Sequence, residues 1–250
     1  MGYDHQRIKS NAKLFYRNNT GSSILSILIF LGVSFGATMA LYIVFIIGGL
    51  IAGIPYFAAM EEEINDASLA AGFGVLYCVF LLGCAAVSVA ILPMTIGLFS
   101  WYRKSVYSKT SLAEIFEPYR HGRFWGSVGT MALMQLYTFL WSLLFVIPGI
   151  IKSYSYSQTA FIKGENPNIP ASRAIDLSKR MMDGHKGELF YLHLSFIGWT
   201  LLSSITYNIL GIVYVYPYLY AAMTFAYEEI KADAIARGVV DQSEFGGEYM

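Results

Sequence analysis

The feature that most constrains this chain is the length of its uncharged stretches. Four blocks, Ile24–Phe57, Leu69–Tyr102, Phe124–Ile162 and Leu189–Tyr227, are dominated by aliphatic, aromatic and small residues, and the only Lys, Arg, Asp or Glu in any of them is Lys152. Their apolar residues follow no strand or helix period, so no block has a polar face to turn toward water. A helix that is apolar all round belongs in a core or in lipid. The composition favours lipid: 56% of residues are hydrophobic and 14% charged, where a soluble domain carries about 25% charged residues. The expected fold is all-α, a polytopic membrane helix bundle forming one integral membrane domain over residues 1–250.

One crossing takes about 20 residues. Ile24–Phe57 is long for one crossing and short for two, and Gly48, Gly49, Gly53 and Pro55 interrupt its end. The expectation is an uncleaved first span to about Ile47, then a broken or interfacial segment. Leu69–Tyr102 reads as one long or bent span, and Phe124–Ile162 and Leu189–Tyr227 each fit two crossings with a tight turn. Basic residues gather in four intervals: Arg7–Arg17, Arg103–Arg123, Lys163–Lys186, and Lys231 with Arg237. The connections MEEEINDAS and SSITYNILG contain neither Lys nor Arg. Positive loops stay in the cytoplasm, and the basic intervals share one side only if each long block is a hairpin. The pattern therefore predicts about six transmembrane helices as three hairpins, with both termini cytoplasmic.

The hairpins share a local pattern. ILPMTIGLFSWY, VIPGIIKSYSYS and VYPYLYAAMTFAY each place a proline (Pro93, Pro148, Pro217) ahead of aromatics. Each hairpin follows an amphipathic segment. The first turns Ile8, Ala12 and Phe15 to one face. The second opens with Ser111 and Glu114 in capping-box spacing. The third sets Ala174, Leu177, Ser178 and Met181 opposite Arg173, Asp176 and Arg180, with Asp176 and Arg180 at i, i+4. The reading is an internal repeat of cytoplasmic surface helix plus hairpin, with coincidence as the alternative.

From Trp141 onward the chain resembles a bacterial family of integral membrane proteins known as a domain of unknown function, DUF975. The residues that carry the resemblance are IPGIIKSYSYS, NPNIPASRAIDLSKRMMDGHKGELFYLHLSFIGW and YPYLYAAMTFAYEEIK. It covers roughly the second half of the chain, and the first half is similar in layout only. It implies a multi-span protein of the bacterial plasma membrane, with no assigned activity and no catalytic residues to carry over.

Lys152 is the sharpest candidate site residue. It follows Pro148-Gly149, where the proline frees a backbone carbonyl, and an ionisable residue inside a span points to function. The competing reading has Lys152 snorkelling to the outer interface. Helical geometry adds Tyr156, Thr159 and Lys163 to its polar face and puts Gly149, Ser153, Ser157 and Ala160 on a small packing face. Cys78 and Cys84 read as small core residues. GVSFG (Gly32, Gly36, continued by Ala40) and GLIAG (Gly49, Gly53) fit small-residue helix packing. His193 reads as an interfacial hydrogen-bonder, His121 and His185 as loop residues, and Tyr207, Tyr214, Tyr216, Tyr218 and Tyr220 as an aromatic belt. The acidic run Glu61–Asp66 reads as a solvated outer loop.

The sequence contains no nucleophile–base pair, phosphate loop or metal-ligand spacing, so neither an enzyme nor a cofactor is expected. Zero net charge gives no basic excess for nucleic acid. The leading expectation is a non-enzymatic protein that binds lipid or a membrane protein partner. Its working surface would be the third amphipathic segment, where Arg173, Lys179 and Arg180 face anionic headgroups at about 1 kcal/mol per basic residue. The alternative is a small transporter or channel-like carrier with a polar site at Pro148, Lys152, Tyr156 and Thr159.

Overall fold

The computed structural model describes residues 4–58, 66–120 and 122–246, and among them every regular element is helical. In chain order these are α1 (His5–Asn18), α2 (Thr20–Ala58), α3 (Asp66–Tyr107), a 3-10 helix (Leu112–Tyr119), α4 (Phe124–Leu144), α5 (Val146–Tyr156), α6 (Thr159–Glu165), α7 (Ala171–Met181), α8 (Lys186–Leu194), α9 (Ile197–Ile205), a π-helical turn (Gly211–Val215), α10 (Tyr216–Ala236) and a closing 3-10 helix (Gln242–Phe245). Among the described residues three stretches are long and apolar enough to cross a membrane: Thr20–Ile51, Gly74–Tyr107 and Phe124–Leu144. The chain divides into two compact units, Phe30–Ile91 and Met1–Ile29 with Leu92–Met250.

The smaller unit is an antiparallel pairing of α2 with α3. Phe80 meets the rings of Phe45 and Tyr42 at 4.4 and 6.1 Å, Leu41 closes on Gly83, and Leu76 lies over Gly48 and Gly49. Several expectations are corrected here. The first helix does not break after Ile47 but runs through Gly48 and Gly49 to Ala58. In apolar surroundings no water competes for the backbone, so the penalty of about 1 kcal/mol for a helical glycine does not interrupt it. Gly32 and Gly36 face open space and pack on no helix among the described residues. Cys78 is exposed and Cys84 half-buried, because two helices can cover only one stripe of each other. The acidic run falls at 61–65 outside the described residues, as does His121.

In the larger unit α1 lies along α10 and buries Ile8, Ala12 and Phe15, the face its spacing predicts. Asp4 caps α1 by accepting from the Gln6 and Arg7 amides, and Arg7 pairs with Glu229 at 2.8 Å. α4 and α5 form a hairpin that reverses at Phe145, which is extended. A Cβ on Gly149 would lie 2.2 Å from the Ser142 hydroxyl, so only glycine lets the two legs come this close. The returning leg bends between α5 and α6. There the Ser178 hydroxyl of α7 donates to the Ser155 carbonyl at 2.9 Å and accepts from the Gln158 amide at 3.1 Å. A side chain inserted into the helical ladder is a recognised cause of such a bend.

α7 carries the expected apolar face, burying Ala174, Leu177, Ser178 and Met181 together with Ile175 against α4, α5 and α6. The second amphipathic segment differs from its expectation. It is a 3-10 helix whose Ser111 caps the Ala113 amide, while Glu114 turns away to Ser100 and Lys104. A capping box does not form because a cation and a hydroxyl on α3 compete for that carboxylate. The three prolines are all helical but not equivalent: Pro148 and Pro217 lie in the first turns of α5 and α10, whereas Pro93 lies deep inside α3.

Gly97 provides a test of the larger unit. A Cβ there would fall 2.0 Å from the Ile115 carbonyl oxygen, a backbone atom that cannot rotate away. Gly97→Ala is expected to destabilise the protein by about 2 kcal/mol or more, the overpacking scale. Gly187→Ala, which meets nothing within 4 Å, should be neutral or slightly stabilising. Thermal unfolding of the detergent-solubilised variants compares the two.

Candidate functional site

Three helices bring one pattern to a common point. α3 supplies Phe99 and Arg103, α6 supplies Phe161 and Glu165, and α10 supplies Tyr227 and Lys231. Each pair is spaced i, i+4, so aromatic and charge share one face of each helix. The rings stack in sequence, with Phe99 4.4 Å from Phe161 and Phe161 4.7 Å from Tyr227. One turn on, the charges meet. Glu165, its side chain 8% exposed, lies 3.6 Å from Arg103 and is bound by Lys231, while the Tyr227 hydroxyl donates to its second oxygen at 2.5 Å. Lys231 also rests over the Phe245 ring at 4.5 Å. A buried carboxylate is tolerable only when paired and hydrogen-bonded, and here both oxygens are engaged. Beside it, burial pushes the Glu228 carboxyl up, against the opposing pull of Lys231.

Two cavities open next to this cluster. The first, about 600 Å³, is lined by Ser100 and Lys104 of α3, Glu114 and Glu117 of the 3-10 helix, and Lys163 and Asn166 around the end of α6, with Arg123 and Ser127 beside them. Its charges are mostly matched: Lys104 pairs with Glu114 at 2.8 Å and Arg123 with Glu117. The second, about 550 Å³, shares Arg123, Lys163, Pro167 and Asn168 with the first and continues along the starts of α4 and α7. Lys163 is 4% exposed. Its ammonium donates to the Ile169 carbonyl at 2.7 Å, and burial lowers its pKa. Among the described residues no group of His, Cys, Asp and Glu could hold a metal ion.

The residues singled out from sequence fall in different places. Lys152 lies over the Trp141 ring at 4.6 Å on the α4–α5 hairpin and lines neither cavity. Pro148 starts α5 below it. Tyr156 and Thr159 are buried, Tyr156 beside Tyr137, so the four do not form one open site. Arg173 and Arg180 both bind Asp176 and reach Glu244 of the closing 3-10 helix, Arg173 at 2.7 Å through Nε; Lys179 is exposed. Of the tyrosine belt, Tyr207 is 93% exposed, but Tyr214, Tyr218 and Tyr220 pack inward against Trp199, Phe196 and Phe99. His193 donates from Nδ1 to the Leu189 carbonyl at 3.0 Å.

Sequence reasoning used Arg103 and Lys231 only as markers of a basic side and set Lys163 on the polar face of Lys152. The signal that could have found the cluster is the recurring aromatic-x-x-x-charge spacing in FSWYR, FIKGE and YEEIK. It likewise left His185 in a loop, whereas His185 is buried between Glu188 (2.7 Å) and Asp233 (2.8 Å), and Asp233 also binds Arg237.

Glu165→Gln leaves Arg103 and Lys231 facing a neutral amide and is expected to destabilise by about 3–5 kcal/mol, the scale for breaking a buried pair. Glu165→Gln with Lys231→Met should recover part of that loss in the same unfolding measurement. The Asp233 carboxyl is held below its ordinary value of 3.8, first by the His185 hydrogen bond and further by Arg237. A depressed carboxylate adds stability above its ordinary value and loses it as pH falls through the folded value. Asp233→Asn should therefore lower stability at pH 5–7, with the gap to the unmodified protein closing in acid below about pH 4.

No curated protein and no solved structure matches the chain. The family described as "Protein of unknown function (DUF975)" matches over residues 133–234, a stretch running from within α4 to near the end of α10, and the chain is similar to that family over this part.

Proposed function

We propose that the protein is a non-enzymatic, multi-pass protein of the bacterial plasma membrane that binds a lipid or a membrane protein partner at its cytoplasmic end. In this reading the chain makes six crossings as three hairpins, with both termini inside. α4 is long enough to cross alone, and α5 with α6, α8 with α9, and α10 act as the remaining legs. The reversals at Phe145 and at Tyr207–Asn208 carry no basic residue, whereas Arg103, Arg123, Lys163 and Lys231 gather at the other helix ends, as the rule for cytoplasmic loops requires.

The observation that carries the reading is the position of the two cavities among those charged ends, between α3, α4, α6 and α7. The basic flank of α7 is a weaker docking surface, because Asp176 and Glu244 already neutralise Arg173 and Arg180. A carrier is the second reading. One observation favours it: at the α5–α6 bend, Thr159 Oγ1 and Gln158 Oε1 are buried without a hydrogen-bond partner among the described residues, as polar atoms lining a solute path would be.

Two experiments separate these readings. Single cysteines at Phe145 and Ile209 should react with an impermeant reagent on intact cells, and one at Asn168 should react only after lysis; external reaction at Asn168 removes the six-crossing topology. In native mass spectrometry, Ala171→Trp, which fills the second cavity, should reduce retained lipid or partner, and Lys152→Leu should not. Solute flux in proteoliposomes that Lys152→Leu abolishes and Ala171→Trp leaves intact would replace the binding reading with the carrier.

A further inference from the structure

The second cavity has an unusual balance of charge. Its lining residues include two cations, Arg123 and Lys163, and no carboxylate. Arg123 is neutralised by Glu117, but among the described residues no carboxylate lies within ion-pair distance of Lys163, whose one hydrogen bond is to a backbone carbonyl. A buried ammonium in that state keeps donors and positive charge unspent. Two helices also begin at this cavity. α4 starts after Arg123 and α7 after Pro170, and neither has a side chain capping its first turn. The amides of a first turn have no acceptor within their own helix, and the helix dipole adds to their positive field. Gly126, in the first turn of α4, lies so close that a Cβ there would be 3.5 Å from Lys163 Nζ. Two uncapped helix starts and a buried lysine without a counter-ion thus face one volume.

We infer that this cavity, bounded by the starts of α4 and α7 and by Lys163, binds a phosphate group. This rests on the reading of the cytoplasmic end as a binding site and names the chemistry it recognises. A lining with two cations and no carboxylate favours an anion, and helix starts are ready-made sites for one. Donors come from α4, α6, α7 and the Arg123 guanidinium, more than the two oxygens of a carboxylate can meet and suited to the three or four of a phosphate. The phosphate can belong to a lipid headgroup or be free in solution. Trp125, 75% exposed on the rim, favours the lipid, because indoles settle at the headgroup level.

The test uses the full chain in a phosphate-free maltoside detergent. Melting temperature is followed against inorganic phosphate and, separately, against phosphatidylglycerol in mixed micelles, with chloride as the control for ionic strength. Saturable stabilisation of about 3 °C at tenfold excess over Kd is expected from one of the two. Stabilisation by phosphatidylglycerol alone assigns the lipid, and by inorganic phosphate the free ion. Lys163→Met should remove the response. Because that variant can fail to fold, Gly126→Asp serves as the second arm. It places a carboxylate beside Nζ, so it should raise the melting temperature without ligand and abolish the response to added phosphate. An unmodified protein that responds to neither ligand overturns the inference, as does a Gly126→Asp protein that responds as before. If that happens while Ala171→Trp still reduces retained lipid or partner, the phosphate assignment falls alone. If Ala171→Trp has no effect either, the binding reading falls with it.

Discussion

The carboxylate of Glu165 is the interaction on which the larger unit depends. It is bound by cations from α3 and α10 and by a tyrosine hydroxyl from α10, so one buried charge fixes three helices that are far apart in sequence. Apolar packing alone would not do this. Between helices in lipid there is little hydrophobic drive, and association depends on close packing and on polar contacts. The stacked rings of Phe99, Phe161 and Tyr227 supply the packing one turn away. Together they set the register of α3, α6 and α10, and that register leaves the cavities open beside the cluster.

Electrostatics divides the two cavities. In the first, Lys104 and Arg123 each have a carboxylate beside them, and of its cations Lys163, which it shares with the second, has none within ion-pair distance among the described residues. In the second, Lys163 and two helix starts point the same sign of charge into one space. α7 has a double part in this. Its apolar face covers α4, α5 and α6, its Ser178 bends the α5–α6 leg, and its first turn forms a wall of the cavity. Arg173 and Arg180 tie its outer side to the closing 3-10 helix, and Lys179 stays exposed beside them.

Much of the architecture was legible because long uncharged blocks leave the backbone few ways to satisfy its hydrogen bonds. Continuous apolar blocks required helices, and the buried faces of α1 and α7 followed from spacing at Ile8, Ala12, Phe15 and at Ala174, Leu177, Met181. Local signals failed where tertiary contacts competed with them. Gly48 and Gly49 did not stop α2, and Glu114 left Ser111 for Lys104. The cluster around Glu165 was illegible for a different reason. A charge at the end of an apolar block looks the same in sequence whether it faces water or a buried partner, and only the convergence of three helices decides which. Lys152, the one cation inside an apolar block, rests on Trp141 and lines neither cavity.

The clamp around Glu165 also fixes an order of assembly. Chains fold from the N-terminus as they are made, and α3 and α6 leave the ribosome before α10. Until Tyr227 and Lys231 arrive, the Glu165 carboxylate has Arg103 for a partner and only half of its neutralising set, although α6 can already pack on α4 and α7. Completion of this cluster is then a late event, in which α10 closes the ion pairs, stacks the third ring and sets Lys231 where the Phe245 ring covers it.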